Sequence, residues 1–200
     1  MVADQLRARD IADPRVLEAF AAVPREAFVD GDHRPHAYDD CPLPIGFGQT
    51  ISQPYVVAMT VQALALRGDE KLLDLGTGSG YAAAIAGKLV REVHSVERIG
   101  ELAQIASERL ARLGFDNVHV HHADGTFGWP PGAPYDAIAG AAAATTMPRA
   151  LLDQLAIGGR IVIPLGPPDH QRLVRLTRRD DGTFDEDDFG LVRFVPFVGA

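Results

Sequence analysis

Asp74-Leu75-Gly76-Thr77-Gly78-Ser79-Gly80 is the stretch whose residue types most plainly suit a ligand. The apolar run Leu72, Leu73 and Leu75 leads into it, and the alanine-rich segment from Tyr81 to Ala86 follows at once. A buried strand, a tight turn and a helix N-terminus in that order open a nucleotide-type α/β unit. Gly76 and Gly78 let the backbone turn sharply and approach a ligand where a Cβ would intrude. The spacing is not that of a dinucleotide site, because G-x-G-x-x-G would need glycine where Tyr81 stands. Asp74 would repel a pyrophosphate at that turn and suits a cationic ligand better. The plain alternative is a structural glycine turn between a core strand and its helix.

Two further acids fall at strand ends. Glu97 closes a strand read from Arg91 to Glu97, about twenty residues past the turn, where a carboxylate can accept from both hydroxyls of a ribose. Asp124-Gly125 follows a third strand, Val118 to His121, which brings a carboxylate within reach of an adenine amine. Ile99 and Tyr81 are candidates to flank the ring. An acid at one strand end is often only a cap for the next helix. Asp74, Glu97 and Asp124 at successive strand ends, with Gly76 and Gly78, together favour an adenosine ligand that carries positive charge. Asp-x-Gly-x-Gly-x-Gly resembles the first motif of S-adenosylmethionine-dependent methyltransferases, whose cofactor carries a sulfonium and an ammonium.

Histidines raise the question of a metal. His33 and His36 form one group, and His94, His119, His121 and His122 another. His119 and His121 alternate with Val118 and Val120, so both imidazoles share one face of a strand. No cysteine pair or His-Glu-x-x-His helix completes a tetrahedral set. They read as polar strand-face and loop histidines, and no metal is expected.

The elements that must position these residues form an α/β chain. Two short helices separated by Asp13-Pro14 occupy residues 1 to 30, and residues 31 to 55, rich in Gly and Pro, lack either regular period. Tyr38, Leu43, Ile45, Phe47 and Ile51 give that segment enough apolar surface to pack down. A helix from Tyr55 to Leu66 has Pro54 in its first turn and Ser52 just before, which matches helix-start signals. Beyond the glycine turn come a helix from Leu102 to Leu113, a strand from Tyr135 to Ala139 and a helix from Pro148 to Leu155. Strands at Arg160 to Pro164 and Leu173 to Thr177, and a last one at Leu191 to Phe197, complete the pattern. This predicts a Rossmann-like α/β fold: a mostly parallel central sheet, helices on both faces and an antiparallel C-terminal part. A single domain over 1–200 is expected, with an N-terminal helical, substrate-covering region (1–66) and a cofactor-binding core (67–200).

With 46% hydrophobic and 23% charged residues, the composition is that of a soluble globular protein. A net charge of −8 argues against a general nucleic-acid binder. Arg172, Arg175, Arg178 and Arg179 alternate with apolar residues and precede an acidic run, which reads as the solvated side of a strand followed by a turn. The single cysteine, Cys41, precludes an intrachain disulfide and fits a reducing compartment. The start lacks an apolar signal core and no later stretch suits a membrane span, so cytoplasm, no membrane partner and a monomer are the expectation.

Outside the general cofactor pattern, Pro42-Leu43-Pro44-Ile45-Gly46-Phe47-Gly48-Gln49-Thr50-Ile51-Ser52-Gln53-Pro54-Tyr55 is the most specific stretch. It resembles the protein-L-isoaspartate O-methyltransferase family. Asp13 to Leu17, Val23 to Val29, Leu73 to Tyr81, Ser95 to Arg98, Gly128-Trp129-Pro130 and Val192 to Pro196 extend the likeness over nearly the whole chain. The resemblance implies methyl transfer from S-adenosyl-L-methionine, leaving S-adenosyl-L-homocysteine, to the free α-carboxylate of L-isoaspartyl residues in damaged proteins and peptides. It implies Ser52 as the active-site serine, with Ile51 and Gln53 beside it on the substrate, and a cofactor set of Asp74, Gly76, Thr77, Gly78, Ser79, Glu97, Arg98, Asp124 and Gly125. The family's pattern is broken at Ala123, usually glycine, and at Ala141, where a hydroxyl is usual. Ala123 is expected to crowd the adenine edge by one methyl. No Gly-x-Ser-x-Gly elbow surrounds Ser52, so it is an orienting donor, a helix cap, or both. The alternatives are a methyltransferase acting on a small molecule or nucleic acid, and a binding module that keeps only the cofactor fold.

Overall fold

The computed structural model describes residues 1–197. A π-helical turn (Val2–Leu6) and a 3-10 turn (Arg7–Arg9) come first. α1 (Pro14–Ala22) starts where Asp13 accepts from the Arg15 amide at 2.8 Å and Pro14 presets the first helical φ. After 3-10 turns at Arg25–Phe28 and Gly31–His36 come two short strands, β1 (Leu43–Gly46) and β2 (Gln49–Ile51), and then α2 (Pro54–Ala63). The alternating part is β3 (Lys71–Leu75), α3 (Tyr81–Gly87), β4 (Glu92–Glu97), α4 (Gly100–Arg112) and β5 (Val118–His122). It continues with β6 (Tyr135–Gly140), α5 (Arg149–Asp153), β7 (Leu155–Leu165), β8 (Gln171–Arg178) and β9 (Phe184–Val192).

One seven-stranded sheet has the order β5-β4-β3-β6-β7-β8-β9. The strands from β3 to β7 pair in parallel, and β8 and β9 return antiparallel. The chain steps outward from β3 to β5 and then re-enters on the other side of β3. That reversal opens a crevice beyond the carboxyl ends of β3 and β4, where such sheets bind ligands. Alternate strand residues face two cores. Leu72, Val93, Ala137 and Val162 pack with α1, α2 and α3, while Leu73, Ile138, Ile161 and Ile163 pack with Leu151 of α5. Helices therefore flank both faces, but unequally: α5 has five residues, and β5 joins β6 through 3-10 turns alone. Among the described residues no helix is long and apolar enough to cross a membrane.

Several boundaries depart from the sequence reading. The segment 31 to 55 is not irregular throughout, since β1 and β2 pair as a hairpin with Gly46 opposite Gln49. Its turn, Phe47-Gly48, has φ of +53° and +70°, so both central residues are left-handed. α2 stops at Ala63, short of Leu66, because Ala65 takes φ +49° and reverses the chain. The helix expected to reach Leu155 ends at Asp153, and β7 already begins at Leu155, bulging through Gly158 (φ +75°) before it pairs regularly from Arg160. The last strand is Phe184–Val192 and not Leu191 to Phe197. The acidic run lies within that strand, where Asp185, Asp187 and Asp188 pair with Arg179, Arg175 and Arg172. Opposite charges facing each other across antiparallel strands make an acidic strand tolerable.

Candidate active site

The glycine turn leaves β3 and is tied back to β4. Gly76 and Thr77 donate their amides to the Val96 carbonyl at 2.9 and 3.2 Å. Gly76 has φ +97° and Gly78 φ +52°; a Cβ on the first would stand 3.3 Å from Ala141 Cβ, and on the second 3.3 Å from Ile45 Cδ1. The β1–β2 hairpin therefore lies directly over the turn, and only glycine fits between them without displacement.

Glu97, buried at the end of β4, accepts from the Gly78 amide with one oxygen and the Ile99 amide with the other, both at 2.9 Å. The carboxylate is thus fixed at the mouth of the turn with lone pairs to spare for two hydroxyls. Asp74 is 2% exposed and accepts from Ser95 Oγ at 2.6 Å. Burial pushes its carboxyl up to about 6, and the nearby charge of Glu97 adds to this while the Ser95 hydrogen bond opposes it. No cation contributes to its environment. Asp74 lines a smaller cavity beside α2 that adjoins the main cleft and shares Ser52, Val57, Ala82 and Ala141 with it.

The cleft encloses about 850 Å³, its open mouth included. Gly76, Thr77, Gly78, Ser79, Glu97, Arg98 and Gly125 line it, together with Ile99. Asp124 stands beside it, accepting from the Thr126 amide at 2.8 Å and hydroxyl at 2.6 Å to cap the 3-10 turn that carries Gly125. Tyr81 borders the cleft, but its ring turns into the core. Its own ring is buried edge-on against Phe20 and Phe28, 6.0 and 5.4 Å between centroids, with the Arg25 guanidinium 4.9 Å above it. Ala123 packs against the second core.

Ser52 lines both the cofactor cleft and an adjoining groove formed by Arg9, Tyr55, Phe189 and Arg193. It is not the helix cap: Gln53 holds that position, and α2 starts without any side-chain cap. Gln53 donates to Asp40 Oδ2 at 2.8 Å, an oxygen shared with Arg9. Ile51, the buried last residue of β2, meets the cleft and not the groove.

Sequence reasoning did not single out Ser95, which shares its strand face with Val93 and Glu97 and pairs with Asp74. It also missed the way the tail closes the cleft. Val195, Pro196 and Phe197 form one wall, pinned by Ala143 N donating to Val195 O and Phe197 N to Ala143 O, each at 2.8 Å. Apart from the family likeness, only the apolar-Pro-apolar pattern of the tail hinted at this. His94 stands 2.9 Å from His121 and 3.2 Å from Glu92, and His121 stacks on Trp129 at 4.1 Å. Burial holds both imidazoles below their ordinary value. No group of three or more His, Cys, Asp or Glu among the described residues is arranged to hold a metal.

A buried acid without a cation, a glycine turn whose Gly76, Thr77 and Gly78 amides bond within the protein, and a second buried acid at the next strand end fit a cationic adenosyl ligand. On this doubly wound sheet they define an S-adenosylmethionine-dependent methyltransferase. Residues 1–200 match the model described as Protein-L-isoaspartate(D-aspartate) O-methyltransferase, and the chain belongs to that family. It is 54% identical over 200 residues to protein-L-isoaspartate O-methyltransferase 2 of Marinobacter nauticus, covering 100% of this chain and 91% of the relative. Protein-L-isoaspartate O-methyltransferase 1 of Rhodopseudomonas palustris is also 54% identical, at 100% and 82% coverage. Among solved structures, a Plasmodium falciparum protein-L-isoaspartate O-methyltransferase in complex with S-adenosyl-L-homocysteine superposes with TM-score 0.84 at 26% identity, covering 98% and 96%. Another protein-L-isoaspartate O-methyltransferase gives TM-score 0.87 at 26% identity; the alignment covers 97% of this chain and 63% of that longer one.

Proposed function

We propose that this chain methylates the free α-carboxylate of L-isoaspartyl residues in damaged proteins and peptides, with Ser52 orienting the carboxylate. The observation that carries the reading is the place of Ser52, at the junction of the cofactor cleft and the groove. S-adenosylmethionine, when bound, supplies an electrophilic methyl on a sulfonium, which leaves as a neutral thioether as the carboxylate oxygen takes the methyl.

The acceptor is already ionised near pH 7, since free α-carboxyls titrate at about 3.5. The protein therefore needs no strong base, only alignment and exclusion of water. The Ser52 hydroxyl, which caps no helix, donates one hydrogen bond to the carboxylate oxygen that is not attacking. Glu97 holds the ribose hydroxyls, Asp124 reaches toward the adenine amine, and Gly125, Arg98 and Ile99 shape the adenine end. Gly76, Thr77, Gly78 and Ser79 give the turn its close approach, and Asp74 balances the ligand's positive charge from below. Ile51 and Gln53 fix the backbone on either side of Ser52. Damaged proteins enter along the groove, whose lining includes Arg9 and Arg193 and no acid.

Transfer of labelled methyl to an isoaspartyl peptide, beside its normal aspartyl twin, tests the reading. Label on the isoaspartyl peptide alone is expected. Equal labelling of both, or label only on RNA or small-molecule acceptors, would overturn it.

A further inference from the structure

We propose that Ser95 and Thr77 form a hydroxyl relay that brings the negative charge of Asp74 to the floor of the cofactor cleft, making Ser95 a positioning residue for the cofactor's cationic end. The inference rests on the cofactor reading above and adds to it the route by which a carboxylate outside the cleft acts within it.

Asp74, Ser95 and Thr77 are 2%, 0% and 3% exposed. Ser95 Oγ lies 2.6 Å from Asp74 Oδ2 and 2.6 Å from Thr77 Oγ1. Each hydroxyl has one proton to donate. An ionised carboxylate only accepts, so the Ser95 proton points to Asp74. Ser95 can then only accept from Thr77, and the Thr77 proton points inward as well. What Thr77 has left to show the cleft is an oxygen lone pair. Chained hydrogen bonds polarise one another in the same direction, which strengthens that acceptor.

The turn's amides support the same polarity. Gly76 and Thr77 bond to Val96 O, Gly78 to Glu97 and Gly80 to Thr77 O. In an anion-binding turn such groups would face the ligand. Here they bond within the protein, and the site presents acceptors to a cation.

Asp74 has no competing cation. Val57, Thr60 and Val61 of α2, Ala82 of α3 and Ala139 of β6 share its cavity, and the one charged group acting on it is Glu97 of β4, a like charge. Protonation of Asp74, at about pH 6, lets the relay reverse: the carboxyl donates to Ser95, Ser95 to Thr77, and Thr77 turns its proton toward the cleft. The same three side chains then present a donor to a cation.

Calorimetric titration of the full chain with S-adenosylmethionine between pH 5 and 8 tests this. Wild-type affinity is expected to weaken as pH falls through about 6. Ser95→Ala is expected to weaken binding at pH 8 by roughly tenfold to a hundredfold, the scale of a hydrogen bond to a charged group. It also removes the bond that favours the ionised carboxylate, so the inflection should move to higher pH. The displacement of the inflection between wild type and Ser95→Ala is the readout, and not its presence. If Ser95→Ala does not fold, the near-isosteric Thr77→Val breaks the same relay and Thr77→Ser keeps it; only the valine should lose affinity. A lowered Tm with unchanged affinity and an unmoved inflection would make Ser95 merely structural and overturn the relay while the cofactor reading stands. No binding by wild type at any pH would overturn both.

Discussion

The two walls of the active site are built differently. On the cofactor side the polar groups are buried and bonded: Asp74 to Ser95, Ser95 to Thr77, and Glu97 to two backbone amides. On the substrate side the groove is bordered by exposed groups, with Leu191 66% accessible and Phe47 at the nearby hairpin tip 53%. The cofactor is one molecule of fixed shape, so its wall can be preorganised group by group. Damaged proteins present many sequences around one carboxylate, so in the proposed reading that wall pins a single point, Ser52, and leaves the rest to shape. The cofactor wall should therefore respond sharply to single deletions, and the substrate wall mainly at Ser52.

The largest expected effect lies on the cofactor wall. Glu97→Ala deletes the acceptor of two amides and, in the proposed reading, of the ribose hydroxyls, and is expected to weaken cofactor binding by about 1.5–3 kcal/mol. Titration calorimetry on the folded variant checks it. Unchanged affinity would remove Glu97 from the site and break the contrast between the walls.

An intermediate effect is expected in the substrate wall. Hydrogen exchange over residues 40 to 55 should slow when S-adenosylhomocysteine and an isoaspartyl peptide are both bound, because the hairpin lies over Gly78 and borders the groove. Protection confined to the helices after residue 100 would contradict this.

The smallest effect is expected outside both walls, at His94 and His121. Their folded pKa values are lowered, chiefly by burial, so the stability they allow is present above the ordinary value of 6.5 and lost as pH falls through the lowered ones. Asp74 works the other way: its folded value is raised from 3.8 to about 6, so its contribution is present below 3.8 and lost as pH rises through 6. The Tm of His94→Asn is therefore expected to fall less than that of wild type between pH 7 and 5. Parallel curves would show that the histidine cluster does not set acid stability.

Much of the cofactor wall was legible in the sequence. A strand, three glycines and an acid at the next strand end are local patterns, and local patterns survive folding. The substrate wall was harder to read. β1 and β2 are four and three residues long and interrupted by Pro44 and Gly46, too short to show a period of two. β9 was obscured because Asp185 to Asp188 look like a loop until Arg172 and Arg175 on the neighbouring strand, and Arg179 just past its end, are paired with them. The strand expected from Arg160 already begins at Leu155, because the chain bulges at Gly158 and stays in the sheet. Ser52 looked like a helix cap by position, whereas Gln53 begins the helix without one. Apart from the family likeness Ser95 gave no signal, since its bonds to Asp74 and Thr77 come from another strand and its turn.

The junction at Ser52 is where the two walls meet, and one variant tests it most directly. Cofactor affinity, kcat/KM on an isoaspartyl peptide and a melting curve should be measured together for Ser52→Ala, at a temperature where both proteins are folded. The expected result is wild-type cofactor affinity with kcat/KM lower by about tenfold to a thousandfold, the scale of one lost donor at the reacting centre. Unchanged kcat/KM with a lowered Tm would contradict the account and leave Ser52 a structural residue.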